Sequence, residues 1–353
     1  MKYFKQILLF GLLATILSCG GSVVSVFTSA NLRYAAPSLI QNDDGNSPIV
    51  ICSVAHDGKM IGNTSSSLYY WTGPLAPPTN TGLVNYKYSQ VNSNGSMISS
   101  AGFYNSVVAN PFHLTTDPTG LWTPYGINDL GEGIAQVEIN EGMIGGFWDV
   151  DHTFHQLPIA DASQSYSVFN LTNSKRFFGA ELDYISFDKP VVLKDTLVWN
   201  SPTSLPFKPT YPSDPGSGYW WPMKVNTQTG VAVFAAIDSS FSVEAAGILP
   251  ANETEVFALQ GSGIMPLGIS DNGIIIGGMK DAGSSTLVST TYSPYVWPNK
   301  DEAAVPLNSV VTDTSGWELG TPIAILGNGD IIGAGKYTIG GVTKDAYYYL
   351  KRL

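Results

Sequence analysis

The sequence predicts an all-β protein, a seven-bladed β-propeller of degenerate four-stranded repeats. Three observations predict it. A strand–turn–strand unit recurs along the chain. From Ser53 to Ile323 the copies divide into six intervals of about 45 residues, the length of one four-stranded blade. Glycine (37) and proline (22) are abundant in the 353 residues, which suits short strands joined by turns. No long amphipathic helical pattern accompanies them.

The clearest copy is Gly268-Ile269-Ser270-Asp271-Asn272-Gly273-Ile274-Ile275-Ile276-Gly277-Gly278. Asp271-Asn272-Gly273 is turn chemistry, because these residues tolerate positive φ where a hairpin reverses. The three isoleucines read as a short buried strand. Pro294-Tyr295-Val296-Trp297 follows as a third strand with an aromatic anchor.

The chain opens with a targeting segment. Lys2 and Lys5 precede a short apolar run, residues 7–17, too short to favour a spanning helix. Ile16-Leu17-Ser18-Cys19 resembles the lipobox of bacterial lipoproteins. The resemblance implies cleavage before Cys19 and attachment of lipid to it. The expected organisation is a signal peptide over 1–18, a lipid-anchored segment over 19–48 that supplies a closing strand, and a propeller over 49–353. Cys52 is then the only other cysteine, so the exported part has no disulfide. It lies in a strand-like run and reads as a small buried hydrophobe.

The copies follow in order. The first is 52–62 with Leu68-Tyr69-Tyr70-Trp71. The second is 89–99 with Pro111-Phe112-His113-Leu114. The third is 135–146 with His152-Thr153-Phe154. The fourth is 167–180 with Leu197-Val198-Trp199. The fifth is 224–233 with Val256-Phe257-Ala258-Leu259. The sixth is given above, and the seventh is 323–335 with Ala346-Tyr347-Tyr348-Tyr349-Leu350. Trp71, Trp199 and Trp297 are expected as buried equivalents. The seventh copy ends three strands along, so the segment 22–40 is expected to supply the fourth. Val23-Val24-Ser25-Val26-Phe27 is its best strand, with Leu39-Ile40 the shorter alternative.

Ile127-Asn128-Asp129-Leu130-Gly131, Ile269-Ser270-Asp271-Asn272-Gly273, His152-Thr153-Phe154 and Pro294-Tyr295-Val296-Trp297 together resemble the HAF repeats of bacterial extracellular proteins. That resemblance implies fold and export. It implies no chemistry.

A net charge of −11 argues against a nucleic-acid partner, which needs a basic face. Residues 200–222 hold six prolines with Tyr211, Tyr219, Trp220 and Trp221. They read as an exposed loop whose aromatics are the best ligand-binding candidates, suited to a partner's hot spot or to stacking on sugars. Asp149, Asp151 and His155 would share one face of a strand and could hold a divalent metal. A hairpin turn at Asp149–Asp151 is the competing reading. Asp129, Glu132, Glu138, Glu141 and Asp149 make an acidic stretch in which two carboxylates could perform glycoside hydrolysis if held close. Solvated loop charges are the plainer account. No cofactor is expected and no catalytic residue is named.

The expected function is that of an exported, lipid-anchored, non-catalytic propeller that binds a protein or glycan at the cell envelope. The alternative is a polysaccharide-acting enzyme with carboxylates on the propeller face.

Overall fold

A computed structural model describes residues 28–43, 48–84, 89–100, 102–106, 121–139, 142–161, 163–183, 192–213, 218–238, 242–280 and 292–353. It is all-β, and seven antiparallel sheets follow one another around a ring. Five sheets have four strands, and two have three strands among the described residues.

Counted outward from the axis, blade 1 is Val50–Val54, Met60–Asn63, Ser67–Trp71 and Thr79–Val84. Blade 2 is Gln90–Val91, Met97–Ser99 and Gly102–Tyr104. Blade 3 is Leu121–Ile127, Gly133–Ile139, Gly142–Trp148 and Phe154–Gln156. Blade 4 is Ser165–Leu171, Phe177–Asp183 and Val192–Trp199, and a single bridge from Phe207 to Val198 lies outside its third strand. Blade 5 is Tyr219–Val225, Ala232–Ile237, Val243–Leu249 and Phe257–Leu259. Blade 6 is Ile264–Ile269, Ile275–Lys280, Tyr292–Trp297 and Val305–Pro306. Blade 7 is Trp317–Ile325, Ile331–Ile339 and Val342–Leu350, completed on its outer edge by Ser38–Ile40.

Apolar second strands explain the stacking. Ala232–Ile237 is buried at every position, and Ile274, Ile275 and Ile276 are fully buried. Each strand packs on both faces because a blade lies on either side. The core is therefore divided among the interfaces between blades. Leu68, Met97 and Tyr104 fill the first interface, and Ile98, Phe103 and Trp148 the second. Tyr166 and Phe177 lie between blades 3 and 4, and Phe178 and Phe234 between blades 4 and 5. Val233 and Ile275 lie between blades 5 and 6. Ile276 and Ile331 lie between blades 6 and 7, and Ile40, Met60 and Ile332 between blades 7 and 1.

Trp71, Trp199 and Trp297 each end the third strand of a blade and are fully buried. Each indole Nε1–H donates to a carbonyl in the connector leading into its own blade. Trp71 donates to Gln41 at 2.9 Å, Trp199 to Pro158 at 2.7 Å and Trp297 to Gln260 at 2.8 Å. The ring of Trp71 lies over Gly62 and that of Trp297 over Gly277, so close that a Cβ on either glycine would meet it at 3.0 and 2.7 Å. The Ile-Gly ending of the second strand makes room for the tryptophan of the third.

Several sequence-based placements are corrected. In blade 3 the turn after the inner strand is Asn128-Asp129-Leu130-Gly131, not the later Asn140-Glu141-Gly142, and Trp148 is a fourth equivalent tryptophan. His152-Thr153 belongs to the turn before the fourth strand, which Phe154 opens. In blade 5 Phe257–Leu259 is the fourth strand, not the third. In blade 2 the third strand is Gly102–Tyr104, and residues 107–120 lie outside the described residues.

The ring closes through the N-terminal segment. Ser38, Leu39 and Ile40 pair antiparallel with Tyr349, Tyr348 and Tyr347. Tyr34 adds its amide to the Val310 carbonyl at 2.8 Å and its hydroxyl to the Gly329 carbonyl at 3.1 Å. The closing strand is thus the shorter alternative. Residues 23–27 lie outside the described residues, as does Cys19.

Residues 219–222 are not part of a loop. They open the inner strand of blade 5. Pro124, Pro222, Pro266 and Pro322 all lie in inner strands, each just before a β-bulge at Tyr125, Met223, Leu267 or Ile323. Cys52 and Phe169 occupy the same bulge position in blades 1 and 4. An inner strand is an edge strand, hydrogen-bonded on one side only, so it tolerates the missing proline N–H.

Candidate binding site in the central channel

The turns after the inner strands gather around one mouth of the channel and tie every blade to the next. The asparagine that opens such a turn uses both ends of its amide. Asn128 Oδ1 accepts from the Leu130 and Glu132 amides at 3.1 and 2.9 Å, which closes its own turn. Its Nδ2 donates to the Thr172 carbonyl of the next blade at 3.1 Å. Asn92 and Asn226 repeat this, reaching the Asn128 carbonyl at 2.9 Å and the Ile269 carbonyl at 3.2 Å. All three are buried. The repeat's Asn is therefore a blade-to-blade clamp as well as a turn residue.

The following position completes a collar. Asp129 Oδ1 accepts the Ser93 amide of blade 2 at 2.9 Å, and Oδ2 accepts Gln228 Nε2 of blade 5 at 2.6 Å. The Asp129 amide donates to Asn173 Oδ1 of blade 4 at 3.0 Å. Burial works to raise the Asp129 pKa. The donors Ser93, Asn173 and Gln228 outweigh it and hold the carboxyl below the usual range. Asn173 N–H reaches the Thr227 carbonyl at 2.8 Å, and Asn226 Nδ2 reaches Asp271 Oδ1 at 2.9 Å. Asp271 N–H reaches the Gly327 carbonyl at 3.2 Å, and Gly327 N–H reaches that of His56 at 3.1 Å. Lys59 Nζ donates to the Ser93 carbonyl at 2.7 Å, which links blades 1 and 2. His56 Nε2 also meets Asp271 Oδ2 at 3.0 Å.

Below the collar is a cavity of about 200 Å³ lined by all seven inner strands. One layer of its wall comes from the residue after each bulge: Ser53, Asn170 and Lys224, with the small Gly126, Gly268 and Ala324, and Gln90 at the matching place in blade 2. Lys224 is the one charged side chain in this layer. It makes no hydrogen bond or ion pair with the described residues. Its side chain is exposed to the channel, and desolvation by the surrounding wall lowers its pKa from the normal lysine value. Cys52 is in the same situation. It is exposed to the channel, not buried as the sequence suggests, and desolvation pushes its thiol up to about 11. That is the opposite of an activated nucleophile.

The four candidate aromatics separate. Trp220 turns into the core between blades 4 and 5, stacks on Tyr211 at 5.3 Å and donates from Nε1 to the Ser213 carbonyl at 3.1 Å. Burial raises the Tyr211 pKa. Tyr219 and Trp221 remain half-exposed. They extend a run of rings that the sequence did not reveal. Tyr125 meets Phe169 edge-on at 5.5 Å, Phe169 stacks on Trp221 at 5.0 Å, and Trp221 meets Tyr219 at 6.2 Å. Tyr125 and Phe169 line the cavity. Trp221 also packs against the cluster of Ala235, Ile237, Met265 and Tyr292, and Tyr219, which begins its inner strand at the end away from the collar, lines a separate recess with Lys194, Asp195 and Tyr211.

Asp149, Asp151 and His155 surround the turn before blade 3's fourth strand. Asp149 Oδ1 accepts the Asp151 and Thr153 amides, each at 3.0 Å, while Oδ2 meets His155 Nε2 at 2.7 Å. Burial would raise the Asp149 pKa, and these donors bring it below the usual value. Asp151 is exposed. Among the described residues no group of three or more His, Cys, Asp or Glu side chains is arranged to hold a metal ion. Glu132 is buried against Lys175 at 2.7 Å and Asn128 at 2.9 Å, Glu138 lies far along the second strand, and Glu141 lies outside the described residues.

No protein-family model matches the chain, and no curated protein matches it. Solved structures do. YCF48 bound to D1 peptide is 9% identical, covers 89% of this chain and 95% of its own, and superposes with a TM-score of 0.50. An oligogalacturonate lyase from Vibrio parahaemolyticus is 11% identical, with 91% and 97% covered and a TM-score of 0.49. An uncharacterized protein from Listeria monocytogenes EGD-e is 10% identical, with 88% and 98% covered and a TM-score of 0.47. At such identities the likeness to YCF48 concerns the fold alone.

Proposed function

We propose that this chain is an exported, lipid-anchored, non-catalytic propeller that binds a glycan or protein partner at the cell envelope, and that the partner enters the central channel through the mouth opposite the collar. The observation that carries the reading is the run Tyr125–Phe169–Trp221–Tyr219 leading to the unpaired Lys224. Half-exposed rings supply large contact area at low entropic cost, and the cavity wall sets polar groups such as Gln90, Asn170 and Lys224 among apolar ones, groups that can fix a ligand's orientation. The collar rims the other mouth with side chains already committed to one another. Export and anchoring rest on the lipobox-like Ile16-Leu17-Ser18-Cys19 and the HAF-repeat resemblance. Two acyl chains hold a protein on a membrane far more firmly than one.

The test combines a glycan array with capture from envelope extracts, using wild-type protein and Trp221→Ala. The reading expects a saturable ligand whose binding the substitution weakens at least tenfold. Binding that ignores Trp221 would remove the channel from the account. Mass spectrometry should find an acylated Cys19 at the mature N-terminus. An unmodified N-terminus further along would replace anchoring by simple secretion.

A further inference from the structure

We infer that Lys224 makes the channel a receptor for an acidic sugar, with one uronate unit in the cavity and its neighbours stacked along Phe169, Trp221 and Tyr219. The inference deepens the binding reading above and rests on it. Its grounds are geometric. Lys224 is placed in the wall by the bulge at Met223, which turns the next side chain toward the axis. Its ammonium has no partner among the described residues. The two carboxylates of the collar are engaged elsewhere: Asp129 with Ser93 and Gln228, Asp271 with His56 and Asn226. A cation that faces the channel without a counter-charge is an open partner for a ligand carboxylate, which would meet it in a charge-assisted hydrogen bond. The lowered pKa of Lys224 agrees with such an unmet need.

The walls favour a sugar. Asn170 of the neighbouring blade and Gln90 across the channel line the same cavity. Asn170 Nδ2 donates to the Pro222 carbonyl at 3.4 Å and Gln90 Oε1 accepts from Ser53 Oγ at 3.3 Å, so the opposite ends, Asn170 Oδ1 and Gln90 Nε2, can meet a ligand's hydroxyl groups. The cavity of about 200 Å³ has room for one sugar unit, not a chain. Beyond it the half-exposed rings of Phe169 and Trp221 add apolar surface, which suits the C–H faces of sugars. The chain's net charge of −11 disfavours long-range capture of a polyanion, so recognition is confined to the channel and to short acidic segments.

The experiment measures binding of the full chain to glucuronate and galacturonate oligosaccharides, to the same oligosaccharides with their carboxyls reduced, and to a polyglutamate peptide. Wild type should prefer the acidic sugars to the reduced ones by roughly tenfold or more. Lys224→Met should abolish that preference, and because it removes a cation without a counter-charge it should leave the melting temperature no lower than that of wild type. Lys224→Arg should keep the preference. Equal affinity for acidic and reduced sugars overturns the inference, and so does a preference that survives Lys224→Met. Polyglutamate binding more tightly than the uronates overturns the choice of a sugar. If no sugar binds while the extract yields a partner sensitive to Trp221, the uronate inference fails and the channel reading stands. If neither yields a ligand, both fail.

Discussion

His56 of blade 1 and Asp271 of blade 6 meet at 3.0 Å across the turn of blade 7. They can do so because that turn carries Gly327 where its equivalents carry a side chain. A Cβ at Gly327 would collide with the His56 imidazole and lie 2.8 Å from Asp271 Oδ2. The pair thus bridges, at the channel end, the seam where the first and last blades join, while the strand Ser38–Ile40 fastens the outer edge.

Gly327→Ala should therefore destabilise the protein by about 1–3 kcal/mol through overpacking. His56→Ala should cost less, because the pair is partly exposed. The double variant should recover part of the loss, a coupling that a double-mutant cycle in urea reads directly. Strict additivity would show that the crowding does not involve His56.

Trp297→Ala should cost about 3–5 kcal/mol, from lost transfer energy and the cavity left beside Gly277. Trp71, Trp148 and Trp199 occupy equivalent positions and should behave alike. Chemical denaturation with a constant m-value is the readout. An unshifted midpoint for Trp297→Ala would contradict the packing described.

Asn128→Ala removes the acceptor of the buried Glu132 amide and of the part-buried Leu130 amide, and the donor to blade 4. The expected loss is roughly 2–3 kcal/mol, since buried groups are left unsatisfied. Hydrogen exchange should quicken at Leu130 and Glu132. Unchanged protection at both amides would sink the clamp.

Asp129 fixes the sign of a pH effect. Its pKa in the folded state lies below the unfolded value of about 4. The native state then binds fewer protons there, so the contribution is complete above the unfolded pKa and is lost as pH falls through the folded one. Acid unfolding of wild type should be steeper in this window than that of Asp129→Asn. Identical slopes would mean that the carboxylate does not need its charge to hold the collar.

Most of the fold could be read from the chain because each turn declares itself locally. Asn92-Ser93-Asn94-Gly95 and Asp271-Asn272-Gly273 need positive φ at glycine, and both supply it. What could not be read depends on pairing. Asn140-Glu141-Gly142 reads as turn chemistry as readily as Asn128-Asp129-Leu130-Gly131, and only the strand pairing shows that the latter follows the inner strand. The bulges are the other case. A bulge exists only relative to its partner strand, so Lys224 looked like one more strand residue and Pro222 like a loop. The periodic proline before the bulge in four blades is the signal that could have located the wall. Trp220 and Trp221 are adjacent in sequence, and strand alternation sends one to the core between blades 4 and 5 and the other, half-exposed, to the opposite face against Met265 and Tyr292.

Cys52 provides the most direct test of the channel as the binding place, because its thiol is exposed inside the channel. The rate of its modification by a small thiol reagent should be measured with and without saturating ligand, in wild type and in Trp221→Ala. The account predicts that ligand slows the labelling of wild type several-fold, and that the protection disappears in the variant at the same ligand concentration. A ligand that saturates the protein while Cys52 reacts at an unchanged rate would place binding outside the channel and contradict the account.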